Sequence, residues 1–241
     1  MKVWEKLKAF RQSRKKYIIT LILLVTLVAL MIYGKDTGER RMKLVYSQAL
    51  DEVAVTVNGT DLTLRDVAFY VAFEEEQVEE QACEYNPEDT SEYWNVHVDG
   101  IYIRVAARNA AIQMAIHDEL FYQMAMEEKI SLTSEEESSC QLAYEDFWSD
   151  LTADGKAKRL GVAAEDIRDC MYRMALAQKY QSIYAQLQDV EYEQCNYGEA
   201  VYETLLKEQT YSINKDVWGR IDFGNVTLTH EKIGDSSYKR K

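Results

Sequence analysis

The sequence predicts a mainly α-helical body with a small strand pairing, preceded by one transmembrane helix. Three observations carry that prediction. Tyr17 to Tyr33 is an uncharged, almost wholly apolar run. Pro occurs once in 241 residues and Gly ten times, too rarely for the frequent turns of a sandwich or barrel. Beyond position 60 the apolar residues recur mostly at helical spacing, and only short stretches alternate as strands do.

The apolar run has 17 residues, near the lower limit for crossing a hydrocarbon core of about 30 Å. Lys2, Lys6, Lys8, Arg11, Arg14, Lys15 and Lys16 precede it, opposed only by Glu5. A basic flank stays in the cytoplasm. The expectation is a retained signal anchor in the cell membrane, single-pass, with the N-terminus cytoplasmic and the remainder extracytoplasmic. A cleaved signal peptide is the alternative. Against it, the run is slightly long and ends Leu30-Met31-Ile32-Tyr33-Gly34, without a small-residue cleavage pattern. Both readings export the body. The expected plan is a cytoplasmic basic segment 1–16, an anchor 17–33, a linker 34–52, a helical domain 53–229 and a polar tail 230–241.

The chain carries a formal charge of −13, and its first 16 residues carry +6, which leaves −19 on residues 34–241. So acidic a body repels nucleic acid, whose binding requires neutralising phosphates. It also repels anionic head groups. The acidity is read as keeping the body soluble and monomeric. Cys83, Cys140, Cys170 and Cys195 fit either two disulfides, with three pairings, or buried free thiols. None has CxxC spacing.

The elements follow in order. Residues 34–52 form a charged linker, expected to turn helical near Met42 to Leu50. Val53-Ala54-Val55-Thr56-Val57 alternates as a half-buried strand and ends at Asn58-Gly59, a strong turn signal. Thr63-Leu64-Arg65-Asp66 places a hydroxyl cap three residues before an acid, and predicts a helix from Leu64 to about Gln81. In it Val67, Phe69, Tyr70, Val71 and Phe73 form the apolar side, with Glu74 to Glu76, Glu79 and Glu80 on the wet side. Asn86-Pro87-Glu88-Asp89 marks a loop. A long helix is predicted from about Gly100 to Lys129, with Val105, Ile112, Ile116 and Leu120 on one face. Thr133 or Ser134 caps a third helix that carries Leu142, Tyr144, Phe147, Trp148 and Leu151 and stops near Asp154-Gly155. A fourth runs from about Ala164 to Gln188, with Ile167, Met171, Met174, Tyr180, Ile183, Tyr184 and Leu187 as its apolar residues. A fifth covers roughly Tyr197 to Glu208. Thr210-Tyr211-Ser212-Ile213 then alternates like a strand.

Two stretches carry a family resemblance. One is Val53-Ala54-Val55-Thr56-Val57-Asn58-Gly59, followed by Leu62-Thr63 and a helix. The other runs from Ala110-Ala111-Ile112 through Leu120 and Ala125 to Glu128-Lys129-Ile130-Ser131-Leu132-Thr133 and Glu135-Glu136. Together they resemble the N-terminal chaperone domain of the SurA and PrsA foldases, with Lys129 where relatives carry Gly. Tyr202-Glu203-Thr204-Leu205-Leu206 with Tyr211, Ile213, Asn214 and Trp218 is similar to the closing helix and strand of Gram-positive relatives. The resemblance implies a helical body whose separated segments close onto one another, and an activity of holding unfolded or newly exported polypeptides. Many relatives insert a parvulin isomerase module before the closing helix. Only Asp189-Val190-Glu191-Tyr192-Glu193 separates those elements here, so the resemblance implies a body without isomerase activity.

No cofactor or metal is expected. His97, His117 and His230 are dispersed without a ligand motif, and the acid runs lack EF-hand spacing. No nucleophile elbow or phosphate loop is present. The client-binding expectation rests on aromatic and Met density around the first two helices: Phe69, Tyr70, Phe73, Tyr93, Trp94, Tyr102, Phe121 and Met124. Partners are then unfolded or exported polypeptides and, through residues 17–33, the membrane. A homodimer made by exchanging terminal segments is compatible with such a body. The alternative function is a non-catalytic scaffold subunit of an envelope assembly.

Overall fold

The computed structural model describes residues 43–230. The chain divides after Met42, and the body described is the second unit. The basic segment 1–16, the apolar run Tyr17–Tyr33, linker residues 34–42 and tail residues 231–241 lie outside the described residues. Among the described residues no helix is long and apolar enough to cross a membrane. The body is mainly helical, with short strands.

Strands β1 (Val53–Val57) and β2 (Thr60–Thr63) form the expected hairpin. Asn58 (φ 48°) and Gly59 (φ 84°) sit at its turn, the left-handed pair that a two-residue hairpin loop requires. The opposite edge of β1 receives β5 (Tyr211–Ile213), antiparallel, with Val55 opposite Ile213 and Val57 opposite Tyr211. The sheet order is therefore β2-β1-β5. Asn58 N donates to Thr210 O at 2.7 Å and Asn214 N to Ala54 O at 2.9 Å, which extends the pairing at both ends.

Residues expected as linker belong to the body. Leu44 bridges Ile221 in parallel, and Tyr46 and Leu50 are buried. Instead of a helix near Met42 to Leu50 there is a single 3-10 turn, Tyr46–Gln48. The same segment shifts the start of the first helix. Thr63 and Asp66 do make the capping pair, Thr63 N donating to Asp66 Oδ2 at 2.8 Å. The amides of Leu64 and Arg65, however, donate to Glu52 O and Leu50 O. Helix α1 therefore starts at Ala68 and continues to Tyr85.

A second hairpin precedes the long helix, β3 (His97–Val98) with β4 (Ile101–Tyr102). Asp99 (φ 50°) and Gly100 (φ 89°) turn it. Helix α2 accordingly spans Ile103–Glu127 rather than starting at Gly100. Helix α3 (Ser134–Ala153) has the predicted cap: Thr133 and Glu136 form a reciprocal capping box. A short α4 (Lys156–Leu160) was not anticipated. It ends at Gly161, where a Cβ would stand 2.5 Å from the Ser47 Cβ, so only glycine lets the entry segment approach. Helix α5 (Ala164–Gln188) has the predicted bounds. Helix α6 (Ala200–Leu206) is shorter than expected, and α7 (Lys215–Trp218) follows β5.

The core is built mainly where α2 packs along α5. Ala107, Ala111, Ala115 and Ala125 interleave with buried Ile112, Ile116, Leu120 and Phe121 on α2. The small residues let the helices approach closely while the large ones interdigitate. On α5, Ile167, Met171 and Tyr180 are buried. Leu187, expected on the same face, is 67% exposed in the last turn, where Ala185 instead faces the core. Leu142 of α3 is 63% exposed because it lies half a turn round from buried Leu151.

One expected wet residue proves central. Glu75 on α1 is fully buried. Its Oε1 accepts from Gly224 N (2.6 Å) and Val226 N (3.1 Å). Its Oε2 accepts from the amide and hydroxyl of Thr227, both at 2.6 Å. Helical periodicity explains the misplacement: Ala68, Val71, Ala72 and Val78 share that inward sector, and Glu75 lies three to four residues from three of them.

Replacing Glu75 with Ala strands three amides and a hydroxyl in the interior, and should cost about 3–5 kcal/mol in urea unfolding. Burial raises the pKa of Glu75, against the pull of the Thr227 hydroxyl and amide and of the Val226 and Gly224 amides. Burial also lifts Glu74, from 4.5 to about 7. A carboxyl raised in the folded state stabilises most below its unfolded value and loses that contribution as pH rises through the folded value. Stability should therefore decline between pH 4.5 and about 7. Glu74→Gln should flatten that decline in denaturant titrations at each pH.

Candidate functional site

Tyr122, one residue beyond buried Phe121, is carried to the edge of the α2–α5 contact. Arg173 of α5 lies across it, its guanidinium carbon 4.6 Å from the Tyr122 ring centroid. The same guanidinium donates to Glu119, whose side chain is 4% exposed. Gln123 Nε2 donates to Glu119 Oε1 at 2.8 Å and to Val57 O at 3.1 Å. Gln123 Oε1 in turn accepts from Asn58 Nδ2 at 3.1 Å. A polar chain thus runs from the β1–β2 turn across α2 to α5. It holds Arg173 and Tyr122 in place, since cation–ring stacking and a charge-assisted hydrogen bond act on one guanidinium.

Two depressions meet at Tyr122 and Arg173. One, of about 720 Å³, is walled by Asn58, Thr60, Gln123, Met126 and Glu127. The other, of about 460 Å³, lies between α3 and α5 and is walled by Cys140, Gln141, Tyr144, Arg168 and Tyr172. Together they make an open trough in which Tyr122, Tyr144 and Tyr172 lie among Arg168, Arg173 and the carboxylates Glu119, Glu127, Glu137 and Asp169. Beneath it is a smaller polar cavity of about 110 Å³, which reaches Tyr70, Asp118 and Cys170. Tyr70 donates to Asp118 Oδ2 at 2.9 Å. His117 Nδ1 lies 2.8 Å from Asp118 Oδ1, and its Nε2 donates to Cys195 O at 3.0 Å. Burial, aided by Asp118, pushes the Cys170 thiol up to about 12. It is thus a neutral thiol at physiological pH and a poor nucleophile. All four cysteines are free, Cys170 and Cys195 buried, Cys140 half-buried and Cys83 exposed. Among the described residues no group of His, Cys, Asp and Glu is arranged to hold a metal.

The residues expected to bind clients are dispersed. Phe69, Tyr70, Trp94 and Phe121 are core residues, between 0% and 6% exposed. Phe69 stacks on Phe73 and packs against Phe147 at 4.9 Å, which seals α1 under α3. Trp94 Nε1 donates to Glu79 Oε2 at 2.9 Å. Phe69, Trp94 and Phe121 line neither the trough nor the cavity beneath it, and Tyr70 reaches only that cavity, because large apolar side chains on a core-facing helix side are buried first. Phe73, Tyr93 and Met124 are half-buried against the core. Tyr102 is 51% exposed on the β3–β4 hairpin, beside exposed Val98 and Ile101. Tyr122, Tyr144, Tyr172 and Arg173 are the trough residues that sequence reasoning missed. Tyr122 and Tyr172 each follow a buried residue, Phe121 and Met171, and so sit beside the stripe, whereas Tyr144 lies on the apolar face of α3 with Phe147, Trp148 and Leu151 and carried no separate signal.

The sequence model of the SurA-like N-terminal domain matches residues 7–140, more than half of the chain. The protein belongs to that family. No curated protein and no solved structure matches it. In this SurA-like chain the matched stretch ends within α3. Helix α5, the closing strand β5 and the Gly224–Thr227 segment lie beyond it and complete the core.

Arg173→Ala should leave the Glu119 charge without its guanidinium. With Arg173 about one-third exposed, the loss should be about 1–3 kcal/mol, below that of a fully buried pair. The double variant Glu119→Gln/Arg173→Met should recover part of it in a double-mutant cycle by thermal unfolding.

Proposed function

We propose that the protein is a membrane-anchored extracytoplasmic chaperone-like protein that binds unfolded or newly exported polypeptides and has no isomerase activity. Membership of the SurA-like N-terminal domain family suggests a chaperone-type function. The observation that carries the finer reading is the trough. It is open, carries Tyr122, Tyr144 and Tyr172, and is built from α2, α3 and α5 with the β1–β2 hairpin at one end. Tyrosine rings offer large contact areas at low entropy cost and tolerate varied partners. The acidic body keeps such a protein from binding nucleic acid and from self-association. The anchor rests on the apolar run Tyr17–Tyr33 and its basic flank. The absence of isomerase activity rests on the short Asp189–Glu193 connection, which has no room for a catalytic module.

A second reading, docking of one folded envelope partner, is favoured by the β3–β4 hairpin. Val98, Ile101 and Tyr102 all project from it into solvent. The two readings separate in one assay. Full-length protein at equimolar ratio should suppress aggregation of a chemically unfolded model protein. The triple variant Tyr122→Ser/Tyr144→Ser/Tyr172→Ser should weaken suppression by about tenfold or more while keeping its helical circular dichroism. Unimpaired suppression by that variant would remove the trough, and no suppression by wild type would favour the scaffold.

A further inference from the structure

The environment of Glu75 is that of a ligand site filled by the chain itself. Every polar contact of its carboxylate goes to one short segment, Gly224 to Thr227. Three of the four donors are backbone amides that converge on the anion as a nest. Arg159 Nε, from α4, donates to Thr227 O at 2.6 Å on the other side of the segment. Trp94 forms a wall so close to Gly224 (φ +87°) that a Cβ there would lie 2.6 Å from the indole. The socket thus reads three things: converging amides, a residue without a side chain, and a hydroxyl at the fourth position. A cavity of about 330 Å³ flanks the segment, lined by Leu44, Tyr46, Arg159, Asn225 and Val226 among others. Past Thr227 the strap is half-exposed, and His230 secures its end through Thr90 Oγ1 and Gly224 O.

We propose that this socket is a second polypeptide-binding site, distinct from the trough, that Gly224–Thr227 occupies in cis as a self-ligand. Its foreign ligand is a polypeptide turn of the form Gly-x-apolar-Thr with its amides turned inward. The site is suited to exchange rather than permanent closure. When the strap leaves, the Glu75 carboxylate regains water, which offsets part of the four lost hydrogen bonds. Leaving the socket also withdraws Val226, which is buried against the core, so exchange requires a foreign segment that supplies an apolar residue at that position. Occupation in cis lowers the apparent affinity for a foreign segment by the fraction of time that the socket is open.

The test uses full-length protein and a fluorescent nonapeptide copying Asp222–His230. In wild type, added peptide should accelerate hydrogen exchange at the Val226 and Thr227 amides of the protein. A peptide carrying Gly224→Val should not. The protein variant Gly224→Val, whose own strap cannot seat against Trp94, should bind the native peptide more than about tenfold tighter than wild type by fluorescence anisotropy. Adding Glu75→Gln to that variant should abolish the gain. Equal acceleration by both peptides, or by neither, overturns the proposal from wild-type protein alone, whatever the folding of the variants. A folded Gly224→Val protein with unimproved affinity overturns it as well. The trough tyrosines do not touch this socket, so the triple tyrosine variant should leave the exchange response unchanged.

Discussion

Strand β1 is the constraint on which the rest depends. It has two partners, and they come from opposite ends of the body. The β2 edge is supplied within a few residues, through a turn that Asn58 and Gly59 make almost obligatory. The other edge comes from β5, more than 150 residues later, as the Asn58 to Thr210 separation of 152 records. An unpaired edge leaves a row of amides and carbonyls exposed to other chains. Closing it on both sides requires α1 to α6 to deliver Tyr211–Ile213 to the correct place. The helical bundle is in that sense a long connection between two strands. Pairing of such high sequence separation forms late and slowly.

The same return of the chain recurs beside the sheet. Leu44 bridges Ile221, Lys43 pairs with Asp222 at 2.5 Å, and Glu75 takes up the amides of Gly224 to Thr227. Each contact joins the beginning of the body to its end. The closing segments add buried Trp218, Ile221, Phe223 and Val226 to the core. They are held by that burial and by hydrogen bonds that satisfy groups otherwise buried without partners. Polar closure around an apolar α2–α5 core also explains how so acidic a body stays compact. Most of its carboxylates are solvated on helix faces, and the buried ones, Glu75 and Glu119, have every donor they need.

Much of the helical layout was legible. The bounds of α5 and the Thr133 cap follow from periodicity and capping chemistry, both local in the chain. The β1–β2 turn follows from Asn-Gly for the same reason. Local rules faltered where a distant segment intervened. Leu64 and Arg65 had a proper cap, yet their amides went to Glu52 and Leu50, and α1 began late. Asp99-Gly100 is a turn signal of the same kind as Asn58-Gly59, and the β3–β4 hairpin it makes displaces the start of α2 to Ile103. Glu75, amid Glu74 and Glu76, looked like solvated charge, and only the strap Gly224–Thr227 shows why it is buried. The site was the least legible part. Phe69, Trp94 and Phe121 are conspicuous in sequence because they are large and apolar, and for that reason they are buried. Tyr122, Tyr144 and Tyr172 became a trough because α3 and α5 cross beside α2.

The sequence by itself determined where the four long helices lie, where the tight turn after β1 falls, that the body is acidic, and that its first part is SurA-like. Each is a property of residues close together in the chain or of their sum, so neighbouring backbone sterics and charge suffice to set it. Tertiary structure alone decided which carboxylate is buried, which aromatics are sealed, and which tyrosines and arginines share a wall. Those outcomes depend on what a residue meets after the chain has returned on itself, and pairwise contacts across 150 positions leave no periodic mark on one sequence.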